Sequence, residues 1–386
     1  VDPAHGHLAT AEKDDRRRRE TVLRQKIGKE AIPRRTAVPF ARGERRNEPD
    51  EQRCKNGQDG AHRIGSARFR QRAPFEKLFF LFCHSIIIQE NRKMSKEKLC
   101  IFRNLFYNIR MRTLDTSVIS DCVYRLAGKA GITLTPACLA ALERAEKSET
   151  GAAHFALDTL LRNAGTAQEN HMPACQDTGM AVVLLELGQD VHLTGMPLAD
   201  AVNDGVRRAY ADGYFRKSIC DPLTRVNTGD NTPAHLHTEI VPGEGVNVTF
   251  LPKGFGSENM SRLYMLTPSE GREGIVNAIV ETVRLAGSRP CPPVYVGVGI
   301  GGAFDSCAFL AKKALTRDVG TRNARTDVAS IEEEALEKIN ALGIGAQGFG
   351  GRVTALGVAC EIAPTHIAGL PVAVNIQCHC IRCEKE

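Results

Sequence analysis

The chain has 386 residues, of which 42% are hydrophobic and 25% are charged. This content excludes a wholly disordered chain, and no apolar run approaches the ~18 residues that a membrane-spanning helix needs. The formal net charge of +6 belongs to the first quarter, because residues 1–93 carry a net charge of +9 and residues 94–386 carry −3. The basic excess is therefore no argument that the whole chain binds nucleic acid.

The N-terminal segment differs in pattern from the rest of the chain. It contains four consecutive arginines at 16–19 and scattered Gly and Pro, and no helical or strand period persists through it. Blocks of like charge are usually solvated and disordered. Residues 1–110 are therefore predicted to be a disordered or non-native extension, and residues 111–386 a folded domain. An over-long gene start is favoured, since Met94 and Met111 precede the regular sequence; a transit peptide is the alternative.

From residue 116 onward, the hydrophobic pattern predicts alternating helices and strands. The predicted helices are 116–148 (interrupted at Pro136), 153–163, 304–315 and 330–343. The last of these begins at a capping box, Ser330 to Glu333, and stops at Gly343. The predicted strands are 180–187, 246–251, 294–298 and 372–376. This alternation favours an α/β fold with mixed sheets flanked by helices.

Gly297, Gly299 and Gly302 follow a predicted strand with the spacing of a dinucleotide-binding turn. That motif is normally followed by a second strand with an acidic residue, and no such strand is evident here. A tight turn of structural glycines is the ordinary alternative. An NAD-dependent dehydrogenase remains a remote hypothesis, which predicts NAD(H) binding and no iron.

The chain has 13 cysteines, an odd and large number for a protein without a convincing secretory signal. Cys378, Cys380 and Cys383 stand close enough together to suggest zinc, but a structural zinc site needs four ligands and no second C-x-x-C exists. Cys175 is followed by an amide, a carboxylate and a hydroxyl just before a predicted strand. Such crowding is typical of an α/β active site, although a buried cysteine in a turn is the alternative.

Seven ordered motifs lie at 173–179, 226–229, 253–259, 268–271, 291–299, 342–345 and 373–378. Together they resemble the α-type catalytic region of the class I, iron–sulfur-dependent fumarate hydratases, a family that includes the L-tartrate dehydratase α subunits. The resemblance covers roughly residues 111–386, and so many motifs in order make a specific signal.

The resemblance implies that Cys175, Cys291 and Cys378 hold a [4Fe–4S] cluster. They are 116 and 87 residues apart, so no local spacing rule finds them. Thiolates are the soft ligands that such a cluster needs, and three of them leave one iron open as a Lewis acid for a substrate hydroxyl. The cysteines expected to be bystanders are Cys220, Cys307, Cys360, Cys380 and Cys383.

The same motifs imply which residues contact substrate. Gln176 and Asp177 adjoin the first cysteine ligand, and Asp177 is expected to orient the substrate or relay a proton. Arg216 matches an arginine that grips a substrate carboxylate, where a bidentate fork suits the geometry. Gly256, with Gly254 as a close rival, falls in a loop whose backbone contacts substrate.

His366 matches a family histidine near the active site, where it is expected to donate a proton. The ordinary alternatives are a core position for His366 and a surface ion pair for Arg216.

The implied activity is the interconversion of (S)-malate and fumarate by a cytoplasmic hydro-lyase of the tricarboxylic acid cycle. The alternative within the family is dehydration of L-tartrate to oxaloacetate; the stretches 214–233 and 253–262 favour malate. The chain ends a few residues after Cys378, without the second domain of single-chain fumarases. A hetero-oligomer with a β subunit that carries the rest of the active site is therefore expected. A nucleic-acid-binding protein, resting on residues 1–93, is a remote alternative.

Overall fold

The computed structural model describes residues 111–386; the predicted extension at 1–110 lies outside this range. The described helices are α1 (Thr116–Ile132), α2 (Pro136–Ser148), α3 (Gly151–Glu169), α4 (Leu198–Asp212), α5 (Phe255–Glu258), α6 (Gly271–Ala286), α7 (Phe304–Ala314) and α8 (Thr326–Asn340). The strands are β1 (Arg112–Asp115), β2 (Met180–Gly188), β3 (Val191–Thr194), β4 (His235–Val241), β5 (Val246–Lys253), β6 (Arg262–Leu266), β7 (Val294–Gly301), β8 (Ala355–Ala363), β9 (Leu370–Gln377) and β10 (Glu384–Lys385). None of these helices is long and apolar enough to cross a membrane.

The first four-stranded sheet has the order β10-β5-β2-β4, with β2 parallel to β4 and antiparallel to β5. The side chains of β2 alternate between two cores. Ala181, Val183 and Leu185 pack with α1 and α4, whereas Val182 and Leu184 enter the interior between the two larger sheets. A strand covered on both faces needs a continuous apolar run, which explains the sequence of β2.

The second four-stranded sheet has the order β6-β9-β7-β8, with β7 parallel to β8 and antiparallel to β9. On one face of β7, valine and isoleucine side chains pack against α6 and α8. On the other face, a Cβ at Gly297 would lie 2.3 Å from the Ala311 carbonyl oxygen, and a Cβ at Gly299 would lie 2.1 Å from that of Cys307. These glycines therefore lie inside the strand, where they let α7 approach closely, which accounts for them without a dinucleotide.

A third core occupies the space between the two sheets. It joins Leu142 of α2 and Leu157 of α3 to Val182 of the first sheet and Tyr295 of the second. Half-buried cysteines pack against its edge: Cys175, Cys378 and Cys383. The fold thus places the first motif, which contains Cys175, and the last, which contains Cys378, at the edge of the same core.

The mixed α/β fold with helix-flanked sheets is confirmed, and so are the elements predicted around Pro136, in 153–163 and at the four predicted strands. The capping box at Ser330 is wrong. α8 begins at Thr326, so Ser330 lies inside the helix, where its hydroxyl donates to the Asp327 carbonyl at 2.8 Å. Several elements were not predicted, among them α4, α6, β4, β6 and β8.

Candidate active site

Residues 173–179, here called the Cys175 loop, connect α3 to β2. The buried Tyr210 hydroxyl of α4 donates to the carbonyls of Thr178 and Gly179, both at 2.9 Å. Gly179 has φ +84°, and a Cβ there would lie 2.7 Å from the backbone nitrogen of Lys253. Glycine is required at this position for both reasons. The loop is therefore held closely against β5.

The Asp177 carboxylate joins the Cys175 loop to the 253–259 loop. Its Oδ1 accepts from the Gly179 N–H at 3.1 Å, and its Oδ2 accepts from the Phe255 N–H at 2.9 Å. A Cβ at Gly254 would lie 3.1 Å from Oδ2, so glycine gives the carboxylate its room. Asp177 thus fixes the relative position of two segments that the sequence motifs singled out.

Cys291 has a backbone conformation that is unusual for a residue other than glycine. Its φ is +55°, in the left-handed region, and such conformations cluster at functional sites. The Cys291 carbonyl accepts from the His379 N–H at 3.3 Å and lies 3.0 Å from His379 Nδ1. The backbone N–H and Nε2 of Gln347 bind the next carbonyl, that of Pro292, at 2.7 and 2.9 Å. These contacts fix the segment that carries an exposed Cys291.

Hydrogen bonds connect the segments that carry the three cysteines implied by the resemblance. Cys378 directly precedes His379, which binds Cys291, and Arg382 binds the backbone of the Cys175 loop at 2.9 Å. Burial and then the nearby Cys175 raise the pKa of the Cys291 thiol. Burial also raises the pKa of Cys378 despite the opposing charge of Arg382, and Cys175 adds to the rise. Cys175 is thus an electrostatic neighbour of both other cysteines.

The described residues do not form a site for a single metal ion. Among residues 111–386, no three His, Cys, Asp or Glu side chains converge as one metal ion requires. A cluster is larger and holds its cysteine ligands farther apart. The zinc hypothesis for the C-terminal cysteines therefore gains no geometric support. Arg382 is buried, and its Nε and Nη1 have no partner in the described part of the chain. Unpaired buried cationic donors beside Cys175, Cys378 and Cys380 suit an anionic ligand.

The other cysteines of the described segment have ordinary surroundings. Cys138 donates to the His379 carbonyl at 3.3 Å, and Cys307 donates to that of Gly299 at 3.2 Å. Burial raises the pKa of Cys380, and likewise of Cys383, to about 12, which keeps both as thiols. That these cysteines are bystanders stays a prediction.

Lys253 ends β5 and is only 1% exposed. Its Nζ donates to the Ile376 carbonyl at 2.8 Å and to Ser257 Oγ at 2.9 Å, and it pairs with Glu258 Oε2 at 3.1 Å. Burial lowers the pKa of Lys253 to about 8, although Glu258 opposes the shift. Because Ile376 lies two residues before Cys378, this network ties the 253–259 loop to the third cysteine.

Glu258 completes the network. It also pairs with Lys312 of α7 and accepts from Asn375 Nδ2 at 2.8 Å. Burial disfavours the carboxylate, but Lys253 and Lys312 outweigh this effect and lower the pKa of Glu258 to about 2. The carboxylate therefore stays ionised between two lysines.

Three further substrate candidates lie in the Cys175 loop or in segments that contact it. Gln176 is exposed, and its Oε1 lies 3.5 Å from Cys175 Sγ. The exposed Arg216 is held through its carbonyl, which accepts from the Thr178 hydroxyl at 3.0 Å, and it pairs with no carboxylate in residues 111–386. Gly256 lies in α5, next to the residue that binds Asp177, and a Cβ there would meet open space.

His366, unlike the three candidates above, lies in a segment that makes no hydrogen bond to the Cys175 loop among the described residues. It lies on an exposed turn after β8, where its Nδ1 accepts from the Ala368 N–H at 3.1 Å. Within residues 111–386, no hydrogen bond joins it to the Cys175 loop. The alternative of a core histidine is wrong, and proximity to the cysteines stays a prediction.

Sequence reasoning missed Arg382, Tyr210 and Lys253 as parts of the site. Lys253 and Arg382 do stand within or beside the quoted motifs, but only their burial and contacts reveal a role. Tyr210 carries no sequence signal beyond an apolar helix position.

The chain is similar in sequence to proteins of a known family. Residues 120–385 match the family model described as fumarate hydratase (Fumerase). A protein of Methanocaldococcus jannaschii named "Putative L(+)-tartrate dehydratase subunit alpha" is 43% identical over 267 residues, covering 67% of this chain and 94% of that protein. The L(+)-tartrate dehydratase subunit alpha of an Escherichia coli strain is 33% identical over 241 residues, covering 61% of this chain and 78% of its own length.

The family match and the names of the relatives indicate a hydro-lyase, since fumarate hydratases and tartrate dehydratases both add or remove water. The chain belongs to the class I fumarate hydratase α and tartrate dehydratase α family.

Proposed function

We propose that this chain is the α subunit of a hydro-lyase that dehydrates a C4 2-hydroxydicarboxylate with a [4Fe–4S] cluster. The observation that carries the proposal is that Cys175 is an electrostatic neighbour of both Cys291 and Cys378, although the three are far apart in sequence. A buried arginine with donors that are unpaired within residues 111–386, Arg382, lies beside Cys175 and Cys378. When bound, the cluster would supply Lewis acidity at the iron that has no cysteine ligand.

The residues of this chain would bind and orient the substrate. The guanidinium of Arg216 stays protonated and could bind a substrate carboxylate with two hydrogen bonds. Gln176 has an amide directly beside Cys175. Asp177 joins the Cys175 loop to the 253–259 loop, and the Thr178 hydroxyl holds the backbone of Arg216. At His366, Nδ1 accepts from the backbone, so Nε2 is the atom that would carry a proton.

L(+)-tartrate is the substrate that the relatives favour, because both are named for its dehydration. The sequence motifs favoured malate instead. The family description, fumarate hydratase, supports malate and fumarate as the second candidate. The two substrates differ by one hydroxyl at C3, so the residues that contact this hydroxyl would separate the candidates.

A β subunit is part of this proposal, because the relatives are named α subunits. Large apolar side chains are exposed within two residues in sequence of residues discussed above, and exposed apolar surface is typical of a face that a partner covers. They are Tyr214, Phe255, Phe349 and Ile367.

The first test is iron and acid-labile sulfide per chain after anaerobic reconstitution. We expect about four of each and a broad sulfur-to-iron absorption. Serine at Cys175, Cys291 or Cys378 should abolish cluster binding. Cys380→Ser and Cys383→Ser are matched controls from the same part of the chain and should retain it. Equal loss in all five variants would contradict the ligand assignment.

The second test compares substrates with the β subunit supplied. We expect kcat/KM to be higher for L-tartrate, measured as oxaloacetate, than for malate, measured as fumarate. The reverse order would establish the second candidate. Turnover of neither substrate by an iron-loaded complex would overturn the proposed activity.

A further inference from the structure

Arg382 is buried, but only part of its guanidinium group has a hydrogen-bond partner within residues 111–386. It is 1% exposed, and it lies four residues after Cys378. Its Nη2 donates to the Asp177 carbonyl at 2.9 Å, but Nε and Nη1 have no partner among the described residues. A buried charge that lacks partners is strongly destabilising, so a group that accepts from these two nitrogens is needed.

The surroundings of Arg382 indicate the nature of that group. No carboxylate of residues 111–386 pairs with it. Its electrostatic neighbours are the thiols of Cys380, Cys378 and Cys175, followed by the Tyr210 hydroxyl; burial alone would lower the pKa of Arg382, but these groups raise it. Thiols are weak hydrogen-bond partners, whereas cysteines that bind a metal are thiolates and carry negative charge.

We propose that Arg382 is a positioning residue that provides the counter-charge of the iron–sulfur cluster. Nη2 fixes the loop that carries Cys175, while Nε and Nη1 are the donors for sulfur atoms of the bound cluster. The inference rests on the cofactor proposed above. Hydrogen bonds to sulfur and nearby charge set the reduction potential of such clusters, and outer partners of this kind affect metal affinity about 10–100-fold.

The role predicts opposite effects on the apo and reconstituted chains. Without a cluster, Arg382→Met removes an uncompensated buried charge, so the melting temperature of the apo chain should stay equal or rise. With the cluster, the same variant should melt below the wild type, release iron to a chelator about tenfold faster and have a lower reduction potential. Arg382→Lys retains the charge but not the fork, and should be intermediate in both cluster measurements.

Arg317→Met is the matched control. Arg317 is also largely buried, but it pairs with the buried Glu332 at 2.8 Å and donates to the Cys360 carbonyl. Arg317→Met should lower the melting temperature of both the apo and the reconstituted chain and leave the reduction potential of the cluster unchanged.

Two outcomes would overturn the role of Arg382. One is a reconstituted Arg382→Met with wild-type iron release and potential; the other is equal destabilisation of both forms, which is the signature of a purely structural residue. If Arg382→Met does not fold, a wild-type potential in Arg382→Lys together with wild-type iron release decides against the role. A wild-type chain that takes up no cluster would overturn the cofactor as well, and is thereby distinguishable.

Discussion

Lys253 and Arg382 are both buried basic side chains near Cys378, yet their surroundings differ. Both are 1% exposed. Lys253 has a carbonyl, a hydroxyl and a carboxylate as partners. Arg382 has one backbone carbonyl, and two of its nitrogens have no partner in the described segment.

This difference separates two uses of a buried cation. A lysine whose donors are all used holds protein segments together, here the 253–259 loop and β9. An arginine with unused donors beside thiols is suited to a ligand that the chain itself does not contain. Three predictions test this distinction around Lys253, in order of decreasing effect.

The largest effect is expected from Lys253→Met in the apo chain. Removing the ammonium leaves the Ile376 carbonyl unpaired and Glu258 with Lys312 as its remaining cation. We expect the free energy of unfolding to fall by about 3 kcal/mol, measured by urea denaturation. Arg382→Met should leave the same quantity nearly unchanged in the apo chain.

Lys338→Met is a surface control, because this lysine pairs with Glu334 on the exposed face of α8 and should matter by less than about 0.5 kcal/mol. If Lys253→Met were no more destabilising than Arg382→Met, the two cations would not differ in the way proposed.

The strands predicted from sequence are largely buried, although β8, which is also largely buried, was not predicted. β2 and β7 present continuous apolar runs because helices cover each face of their sheets. β4 and β6 are half-exposed strands in which histidine, glutamate or arginine alternate with apolar residues. Their pattern is ambiguous until a neighbouring strand is known, since pairing and not propensity decides such segments.

Only part of the candidate site could be predicted from the sequence. The Cys175 loop stood out because polar residues crowd before a strand, but the convergence of Cys291 and Cys378 on it depends on contacts between distant segments. The motif resemblance supplied those cysteines. The role of Arg382 could not be predicted, because it follows from burial and from which donors lack partners.

The second prediction concerns pH and the Lys253 network. The folded-state pKa of Glu258 is about 2, below its ordinary value of 4.5, because Lys253 and Lys312 outweigh the effect of burial. Between about pH 2 and pH 4.5, the folded protein therefore binds fewer protons at Glu258 than the unfolded chain does. The stabilisation is complete above about pH 4.5 and is lost as the pH falls toward 2.

Glu258→Gln should remove this dependence. Between about pH 5 and pH 3, the free energy of unfolding of the wild type should fall by on the order of 2 kcal/mol more than that of the variant. Equal slopes in urea denaturation at the two pH values would show that Glu258 is not held between the lysines. Glu334→Gln, on the exposed face of α8, is the control and should retain most of the wild-type slope.

The smallest effect on stability is expected at the loop that Lys253 anchors. A methyl group at Gly254 would press on Asp177 Oδ2 from 3.1 Å, whereas one at Gly256 would meet no heavy atom within 4 Å beyond its chain neighbours. Gly254→Ala should therefore weaken the bond from the Phe255 N–H to Asp177 and lower the free energy of unfolding by about 1 kcal/mol. Gly256→Ala should change it by less than about 0.5 kcal/mol.

We expect the opposite order for activity: Gly256→Ala should affect it more than Gly254→Ala, because Gly256 is the glycine expected beside the substrate. With the β subunit supplied, Gly256→Ala should raise KM for the preferred dicarboxylate while its thermal melt stays at the wild-type value. An unchanged KM in Gly256→Ala, together with a raised KM in Gly254→Ala, would transfer the contact to Gly254. It would also show that the substrate approaches the anchored end of the loop, where Asp177 and Lys253 hold it most firmly.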